Sequence, residues 1–326
     1  MDLQIQNEIF VLIFNYLSLP DRFQAFYGLN SRINMILNSM PIKLDKLYDA
    51  QVRQYVLPNI NPAQVHVLKV FHNGSEKRID IQQFTNVQCL KFYLEPSINQ
   101  LDHIRPTYLP HLTSLSLEKL SSLQFSDEYA NLCKTICTEQ FRKLKEVKLP
   151  YLDCKQVHFT PDCSNVLTHL EISYCTKSAF YMILENLSNL ETFRVTISTN
   201  EQHQLATKHA HLRELYLTVR DEHDRMNMSM DELFGICRCL RDIKYIMISM
   251  FYSDTIQNAC RDLNAMLSFC QSLEIFDFFI KIEKTNLNDA NIDEIKQNYG
   301  HLKHTETYTY QIKKFYYCCI KKSYFN

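Results

Sequence analysis

The sequence has few of the features that mark several large classes of protein. It contains four glycines in 326 residues, which leaves no glycine-rich loop to hold the phosphates of a nucleotide. Its 35 basic and 36 acidic residues nearly cancel, so the composition favours neither nucleic acid nor an anionic membrane as partner. The apolar run near the amino terminus, from Ile9 to Phe14, is far shorter than the ~18 residues of a membrane span. We therefore expect no signal peptide and no membrane-spanning helix.

The cysteines also lack the arrangement of a secreted protein. All twelve are scattered without a compact framework, and most fall at apolar positions, where a reduced thiol behaves as a small hydrophobic group. We expect a reducing compartment, the cytoplasm or the nucleus. The pairs Cys133/Cys137 and Cys237/Cys239 have no second pair at zinc spacing, so core packing is the favoured role for both.

No group of residues has the pattern of a catalytic or metal site. The histidines at 203, 209 and 211 do not share one helical face. The segment from Arg220 to Arg225 places acid, imidazole and base side by side, but adjacent residues on a turn rarely hold catalytic geometry, so a solvated turn is favoured. We expect no catalytic residue, no metal and no cofactor, and therefore a protein that is not an enzyme.

One pattern of apolar residues recurs along most of the chain. Its clearest copy has Leu167, then two residues, Leu170, one residue, Ile172, two residues and Cys175. The other copies are Val65/Leu68/Val70, Val87/Leu90/Phe92, Leu112/Leu115/Leu117, Leu144/Val147/Leu149, Leu190/Phe193/Val195, Leu212/Leu215/Leu217, Ile243/Ile246/Ile248 and Leu273/Phe276/Phe278. The pattern resembles the strand segment of a leucine-rich repeat, in which the second and third apolar side chains point into the core.

The spacing of the copies supports the same interpretation. From Leu68 to Phe276 the middle apolar residue advances by about 26 residues on average, within the ~20–29 residues of such repeats. Helical segments are expected between the strands at 127–143, 178–187, 230–240, 253–272 and 289–298. Parallel strands alternating with helices predict an α/β fold, a curved solenoid with strands on the concave face and helices and loops on the convex face.

The first forty residues do not follow the repeat and predict three short helices. The first covers about 7–17 and carries Ile9, Leu12, Ile13, Tyr16 and Leu17 at the spacing of one helical face. Ser18 and Pro20 favour the start of a second helix, which Gly28 ends. Asn30 or Ser31 caps a third helix, which Pro41 follows.

The order of residues in these helices resembles an F-box. The matching segments are Ile5-Gln6-Asn7-Glu8-Ile9, Ile13-Phe14-Asn15-Tyr16-Leu17, Leu19-Pro20-Asp21, Ala25 and Leu29-Asn30-Ser31-Arg32. The resemblance covers about forty residues, and the leading Leu-Pro of the family is Ile5-Gln6 here. It implies docking on Skp1, the adaptor of a cullin-RING ubiquitin ligase, through Ile5, Ile9, Ile13, Leu17, Leu19, Pro20 and Phe23.

A purely structural role for these helices is the alternative. A solenoid needs a distinct covering unit at its end, and an amphipathic helical cap would serve. The aromatic and aliphatic content of the segment exceeds what forty residues can bury by themselves, so we expect part of it to meet a partner.

The pattern divides the chain into four parts. We expect an F-box domain at 1–42, a linker helix within 43–64, leucine-rich repeats at 65–312 and a basic, aromatic tail at 313–326. The linker helix is expected at 44–57 from the spacing of its apolar residues. Lysines beside Cys318-Cys319 suit a lipid-modified anchor, although a final edge strand or a frayed end is favoured for the tail.

The concave face is where we expect a target protein to bind. Residues that alternate with the inward apolar positions point to this face. They are Lys69, Lys91, Ser114, Ser116, Glu146, Lys148, His169, Glu171, Thr192, Arg194, Glu214, Tyr216, Tyr245, Met247 and Asp277. Among them we single out His169, Glu171, Arg194, Glu214, Tyr216 and Tyr245, since tyrosine and arginine carry much of the binding energy in protein interfaces.

Taken together, the two parts resemble an F-box protein with leucine-rich repeats. The resemblance implies the substrate-recognition subunit of a Skp1-cullin-F-box ubiquitin ligase, which does no covalent chemistry itself and has an unknown target. The alternative is a leucine-rich-repeat interaction scaffold with no ligase role, and Gln6 in place of the family proline is the sequence feature in its favour.

Overall fold

The computed structural model of the chain describes residues 6–45, 49–71, 79–120, 126–138, 141–153, 166–197, 211–219, 228–240, 242–252, 272–283, 305–312 and 315–323. The chain forms two compact units. The first comprises Met1–Ile136 with Gln140–Glu146, and the second comprises Cys137–Glu139 with Val147–Asn326. Both contain parallel β-strands joined by helices and loops, so the α/β class is confirmed.

Three helices open the first unit, as the sequence predicts. They are α1 (Asn7–Tyr16), α2 (Leu19–Phe26) and α3 (Ser31–Ser39). The Ser18 hydroxyl accepts the backbone N–H of Asp21 and so caps α2, while the Asn30 side chain accepts the N–H of Ile33 at 2.8 Å and caps α3.

Gly28 ends the turn between the second and third helices. Its φ of +85° lies in the left-handed region, which glycine adopts readily because it has no Cβ atom. Its N–H donates to the Asn34 side chain at 2.8 Å, so the turn is tied to the first half of α3.

The predicted linker helix at 44–57 is wrong at its start, because Leu44 belongs to a strand. Ile42–Leu44 instead form a short strand, β1, which pairs in parallel with β2 (Val65–Val70). Ile42 and Leu44 are buried and Lys43 is exposed between them, an alternation too short to stand out in the sequence. The helical part is one π-helical segment, Val52–Val56, with Val52 and Val56 buried.

The remaining strands of the first unit follow the repeated apolar pattern. After β2 come β3 (Cys89–Phe92), α4 (Ile98–Asp102), β4 (Ser114–Leu117) and α5 (Asp127–Cys137). The strands β2, β3 and β4 are parallel, and their register aligns Leu68, Leu90 and Leu115. All three leucines are buried, so the predicted inward direction of the middle apolar residue is confirmed here.

The second unit continues the same alternation with longer strands. In chain order it contains β5 (Glu146–Leu149) from Val147 onward, β6 (His169–Cys175), α6 (Lys177–Asn186), β7 (Thr192–Ile197), β8 (Glu214–Val219), α7 (Met230–Cys239), β9 (Tyr245–Tyr252) and β10 (Ile275–Glu283). The strands β6 to β10 pair in parallel, and their shared register aligns the buried residues Leu170, Phe193, Leu215, Ile246 and Phe276. All five are at most 4% exposed, so this row of the sheet faces inward.

The two return helices of this unit are confirmed within one residue at each end. Phe180, Ile183 and Leu184 of α6 are buried, as are Leu233 and Cys237 of α7. Ser229 and Glu232 form the predicted capping box at the start of α7. Helices predicted at 253–272 and 289–298 lie outside the described residues, apart from Ser272.

The carboxyl-terminal strands run differently from the rest. Here β11 (Thr305–Ile312) and β12 (Phe315–Ser323) form an antiparallel pair, and β12 also pairs antiparallel with β10. The tail segment is therefore an interior strand between β10 and β11, not the final edge strand or frayed end that the sequence favoured. After β10 the chain forms β11 first and then turns back, so that β12 lies between β10 and β11.

Candidate functional site

The three amino-terminal helices have a small core of their own. It consists of Phe14, Ile33, Ile36, Leu37 and Met40, with Phe10, Val11, Leu17 and Phe26 packed partly buried against it. The rings of Phe14 and Phe26 meet edge to face with centroids 5.1 Å apart, a favourable aromatic geometry. One face of α1 therefore packs against the other two helices.

The opposite face of α1 is apolar and exposed. Ile9 is 45% exposed, Leu12 59%, Ile13 40% and Tyr16 90%. These four residues recur at the spacing of one helical face, and we call them the α1 stripe. Water contact with four large apolar side chains is unfavourable, and such a contiguous patch is typical of a surface that a partner covers.

Polar contacts fix the orientation of α1. The Arg32 side chain of α3 donates from Nε to the Asn7 side chain at 2.9 Å, and its guanidinium lies 5.8 Å from the Phe10 ring centroid. At the other end, Arg22 Nε donates to the Leu17 carbonyl at 3.1 Å. Burial lowers the pKa of Arg22. The stripe is thus presented by a helix that is held at both ends.

The predicted docking residues fall into three environments. Ile9 and Ile13 belong to the stripe, and Leu17, Leu19 and Pro20 are half-buried. Phe23 is 4% exposed and stacks on Tyr27 with centroids 5.7 Å apart, so its side chain supports the helices from inside. Ile5 lies outside the described residues.

Leu12 and Tyr16 are the stripe residues absent from the predicted docking set. Their helical spacing to Ile9 and Ile13 was visible in the sequence. What the sequence did not reveal is which of the two apolar faces of α1 is inside.

Gln64 is a further residue of this region that sequence analysis missed. Its buried side chain donates from Nε2 to the carbonyls of Leu37 at 2.7 Å and Met40 at 3.1 Å, and its Oε1 accepts the N–H of Asn61 at 3.1 Å. It donates to carbonyls at the end of α3, where the regular helical hydrogen bonds stop; the Leu37 carbonyl also accepts the Met40 N–H at 3.4 Å. One side chain thereby ties the last of the three helices to the start of β2.

In the second unit, polar and aromatic side chains occupy the sheet face opposite the core. The register aligns His169, Thr192, Glu214 and Tyr245 in one row and Glu171, Arg194, Tyr216, Met247 and Asp277 in the next. We call these two rows the polar face. The neighbouring backbone positions are set by strand pairing, so the side chains stand about 4.8 Å apart from strand to strand.

A chain of contacts crosses the polar face over four strands, stepping diagonally from Tyr216 in one row to Tyr245 in the other and back to Asp277. The Arg194 guanidinium lies 4.2 Å from the Tyr216 ring centroid, and the Tyr216 and Tyr245 rings are 4.8 Å apart. The Tyr245 hydroxyl donates to Asp277 at 2.8 Å and the Tyr216 hydroxyl to Glu214 at 3.3 Å. We call Arg194, Tyr216, Tyr245 and Asp277 the diagonal belt.

These contacts change the acidity of both tyrosines. Burial, together with the carboxylate of Asp277, raises the pKa of Tyr245, and burial with the carboxylate of Glu214 raises the pKa of Tyr216. Both hydroxyls therefore stay protonated at neutral pH and act as hydrogen-bond donors. The belt is an uncharged aromatic centre with a guanidinium at one end and a carboxylate at the other.

The other predicted target-binding residues lie beside the belt. Glu171 forms an ion pair with Lys148 at 3.0 Å. His169 is exposed, and its Nδ1 lies 2.8 Å from the Thr168 hydroxyl. The structure thus joins Arg194, Tyr216, Tyr245 and Glu214 through direct contacts and engages Glu171 and His169 elsewhere on the face.

A smaller aromatic and basic cluster occurs in the first unit. Lys91 forms an ion pair with Glu118 at 2.8 Å and lies 4.5 Å from the Tyr93 ring centroid. Hydrogen bonding to Glu118 raises the pKa of Lys91. Phe71 stacks on Tyr93 with centroids 4.2 Å apart. Tyr93, Phe71 and Glu118 follow their strands directly, so the alternation that identified Lys91 did not select them.

The cysteines singled out in the sequence lie in apolar surroundings. Cys133, Cys137 and Cys237 are buried, and Cys239 is half-buried. Burial raises the pKa of Cys133 to about 12, which leaves an unreactive thiol at neutral pH. No group of three or more potential metal ligands occurs within the part of the chain that the structure describes, from which His203, His209 and the 220–225 segment are absent.

Comparison with known proteins gives no assignment of the chain. No protein-family model matches it, and no curated protein matches it. Within the described residues, none of the helices has the length and apolar character needed to cross a lipid bilayer.

Proposed function

We propose that the protein is the substrate-recognition subunit of a Skp1-cullin-F-box ubiquitin ligase. In this proposal α1 to α3 are the F-box that binds the Skp1 adaptor, and the repeats that follow are a leucine-rich-repeat solenoid that binds a target protein. The observation that carries the proposal is the α1 stripe, in which Ile9, Leu12, Ile13 and Tyr16 are exposed on a helix that is already anchored.

The stripe supports adaptor docking for an energetic reason. Covering apolar area stabilises a complex by about 25 cal/mol per Å² before the costs of association are counted. An amphipathic helix that lays its apolar face into a groove is a common way to bind another protein. Half-buried Leu17, Leu19 and Pro20 at the end of α1 and the start of α2 extend the surface that such a groove would cover.

The regular strands support the solenoid part of the proposal. Each copy of the apolar pattern with a described strand has its first and middle apolar residues buried. The polar face is then the surface that remains for a target, with the diagonal belt at its centre. Tyrosine and arginine at the centre of a surface are the residue types that dominate interface energetics.

The proposed mechanism is proximity. A receptor that holds the target while its F-box is bound to the ligase raises the effective concentration of the target lysine near the ubiquitin carrier. The chain itself contributes orientation and binding, and the covalent steps belong to the other subunits. The protein would accordingly be a non-catalytic adaptor of ubiquitin-dependent degradation, acting in the cytoplasm, the nucleus or both.

A direct titration of purified Skp1 with the full chain tests the proposal. We expect submicromolar binding that is lost when the stripe residue Leu12 is changed to Asp. The stripe variant is preferable to truncation at Val65, because the helices belong to the same compact unit as β2 to β4. A folded full chain that does not bind the adaptor would reject the ligase role and favour an interaction scaffold with no ligase function.

A further inference from the structure

Arg194 is the arginine of the polar face, where it lies between the strands that carry Glu171 and Glu214. Its side chain is exposed and is held by the Tyr216 ring at 4.2 Å. Within the described part of the chain it forms no ion pair with a carboxylate. Glu171, its Cα partner on β6, pairs instead with Lys148, and Glu214 accepts the Tyr216 hydroxyl.

The arrangement orients the guanidinium, which also hydrogen-bonds the Tyr216 side chain, and leaves its remaining N–H groups for a ligand. Stacking on an aromatic ring fixes the plane of an arginine side chain while its N–H groups stay at the edges. Those groups form a fork that matches a carboxylate, with two parallel hydrogen bonds. Because the ring contact restricts the side chain in advance, less rotamer freedom is lost on binding.

The aromatic part of the belt supplies a second contact. The Tyr216 and Tyr245 rings are 4.8 Å apart and half-buried, and both hydroxyls are already engaged. Their exposed ring surface therefore suits an apolar side chain better than a polar one. In an extended peptide, residues i and i+2 point to the same side about 6.6–6.8 Å apart, so one peptide can present an acidic and an apolar side chain to the same face of the sheet.

We propose that the diagonal belt binds an extended segment of the target that carries an acidic residue followed two positions later by an apolar residue. The carboxylate pairs with Arg194, and the apolar side chain covers Tyr216 and Tyr245. This inference rests on the proposed role of the polar face in target recognition and specifies the chemistry of the segment that it holds.

The flanking acids favour a carboxylate over a phosphate at Arg194. Glu171 and Glu214 lie on the neighbouring strands β6 and β8, on the same face. A phosphate carries ≈ −1.5 to −2 charge at neutral pH and would be repelled more strongly than a single carboxylate. One arginine between two acids is thus better suited to Asp or Glu than to a phosphorylated residue.

Binding of the full chain to an array of short, capped peptides tests the inference. The array carries acidic-x-apolar triplets in several sequence contexts, with matched peptides in which the acid is replaced by Gln, Lys or phosphoserine and the apolar residue by Ser. We expect the acidic-x-apolar peptides to bind at least about tenfold more tightly than the Gln or Ser versions. Equal binding of acidic and Gln peptides, or binding to none of them, would overturn the inference.

Charge reversal at the anchor makes the test specific. Arg194→Glu should lose the preference for acidic peptides and gain a preference for the Lys peptides. Arg194→Gln should lose the preference for acidic peptides and gain no preference for the Lys peptides. Arg213→Glu is the matched control, since Arg213 is exposed, precedes the neighbouring strand β8 and lies outside the belt. Unchanged acid preference in Arg194→Glu, or phosphoserine peptides bound tenfold more tightly than Glu peptides, would contradict the assignment.

The array contains no adaptor, so its result is independent of the ligase proposal. Titration of Skp1 with Arg194→Glu should give the affinity of the unaltered chain. A chain that fails to bind Skp1 but selects acidic-x-apolar peptides would retain the belt and lose the ligase role. A chain that binds Skp1 but shows no peptide preference would retain the ligase role and lose the inference.

Discussion

The α1 stripe and the polar face are both exposed, but they meet water in opposite ways. The stripe consists of Ile9, Leu12, Ile13 and Tyr16 and offers almost no hydrogen bonding. On the polar face, by contrast, Glu171, Glu214 and Asp277 already have partners in Lys148, Tyr216 and Tyr245.

The difference indicates two kinds of binding. An apolar stripe gains free energy whenever a complementary groove covers it, so it suits a constant partner. A self-paired polar face gains little from being covered and instead discriminates between partners through its charges. The same chain thus carries one surface suited to a fixed subunit and another suited to selection.

The two faces of α1 give the sharpest contrast in stability. Phe14 is fully buried, so Phe14→Ala should lower the free energy of unfolding by ~3–5 kcal/mol. Leu12 lies on the stripe of the same helix, and Leu12→Ala should change the free energy by no more than about 0.5 kcal/mol. Chemical denaturation of both variants measures the difference. Equal losses would mean that the stripe is covered within the chain.

A charge in the stripe should have the next largest effect, on binding and not on folding. Ile13→Asp should weaken adaptor binding by at least about 100-fold, since a buried unpaired carboxylate would meet an apolar groove. Asn15→Asp is the matched control. It introduces the same charge at an exposed polar position of α1 outside the α1 stripe. It should leave binding within a few fold. Isothermal titration of both variants tests whether the stripe is the contact surface.

A comparison of Gln64 with an exposed glutamine tests how much the buried hydrogen bonds contribute to the stability of the first unit. Gln64→Leu removes the side-chain donor of the Met40 carbonyl and one of the two donors of the Leu37 carbonyl, and we expect a loss of about 1–3 kcal/mol in unfolding free energy. Gln83→Leu, at an exposed position of the same unit, should have an effect within about 0.5 kcal/mol. A loss of similar size in both variants would contradict the proposed role of the Gln64 hydrogen bonds.

The smallest effect on stability should come from a substitution in the diagonal belt, and its size should depend on pH. Tyr245→Phe removes one donor to Asp277 and should reduce stability by about 0.5–1.5 kcal/mol at neutral pH. Because the folded pKa of Tyr245 is raised, its stabilising contribution is complete below the ordinary tyrosine pKa of ~10. It is lost as the pH rises through the folded value.

Denaturation of the unaltered chain and of Tyr245→Phe at several pH values measures this dependence. The difference between the two should shrink as the pH rises above about 10, since the unfolded chain then releases the tyrosine proton first. A difference that grows over that range would show that the hydroxyl is not acting as a donor to Asp277.

Regular features of the fold were accessible from the sequence because they depend on local spacing. Alternation of apolar residues located the repeat strands, and the side chains of Ser18, Asn30 and Ser229 located helix starts. The strand β1 was missed because Ile42 and Leu44 offer only one period of alternation. The interior place of β12 depends on pairing with β10, whose partner positions are distant in the chain.

The candidate sites were less accessible because their contacts link distant residues. Gln64 bonds to a carbonyl 27 positions earlier, and Tyr245 bonds to an acid 32 positions later. The sequence identified Tyr216, Tyr245 and Arg194 by their direction on a strand. Which of them stack on one another, and which acids they engage, depends on side-chain packing that alternation alone does not determine.

Hydrogen–deuterium exchange of the full chain, with and without saturating Skp1, tests the central proposal most directly. The proposal predicts slower exchange across α1 and α2, Asn7 to Phe26, because the α1 stripe would be covered, while β6 to β9 exchange at unchanged rates. Protection confined to the strands of the polar face, or absent throughout despite binding, would contradict the assignment of the stripe as the adaptor-binding surface.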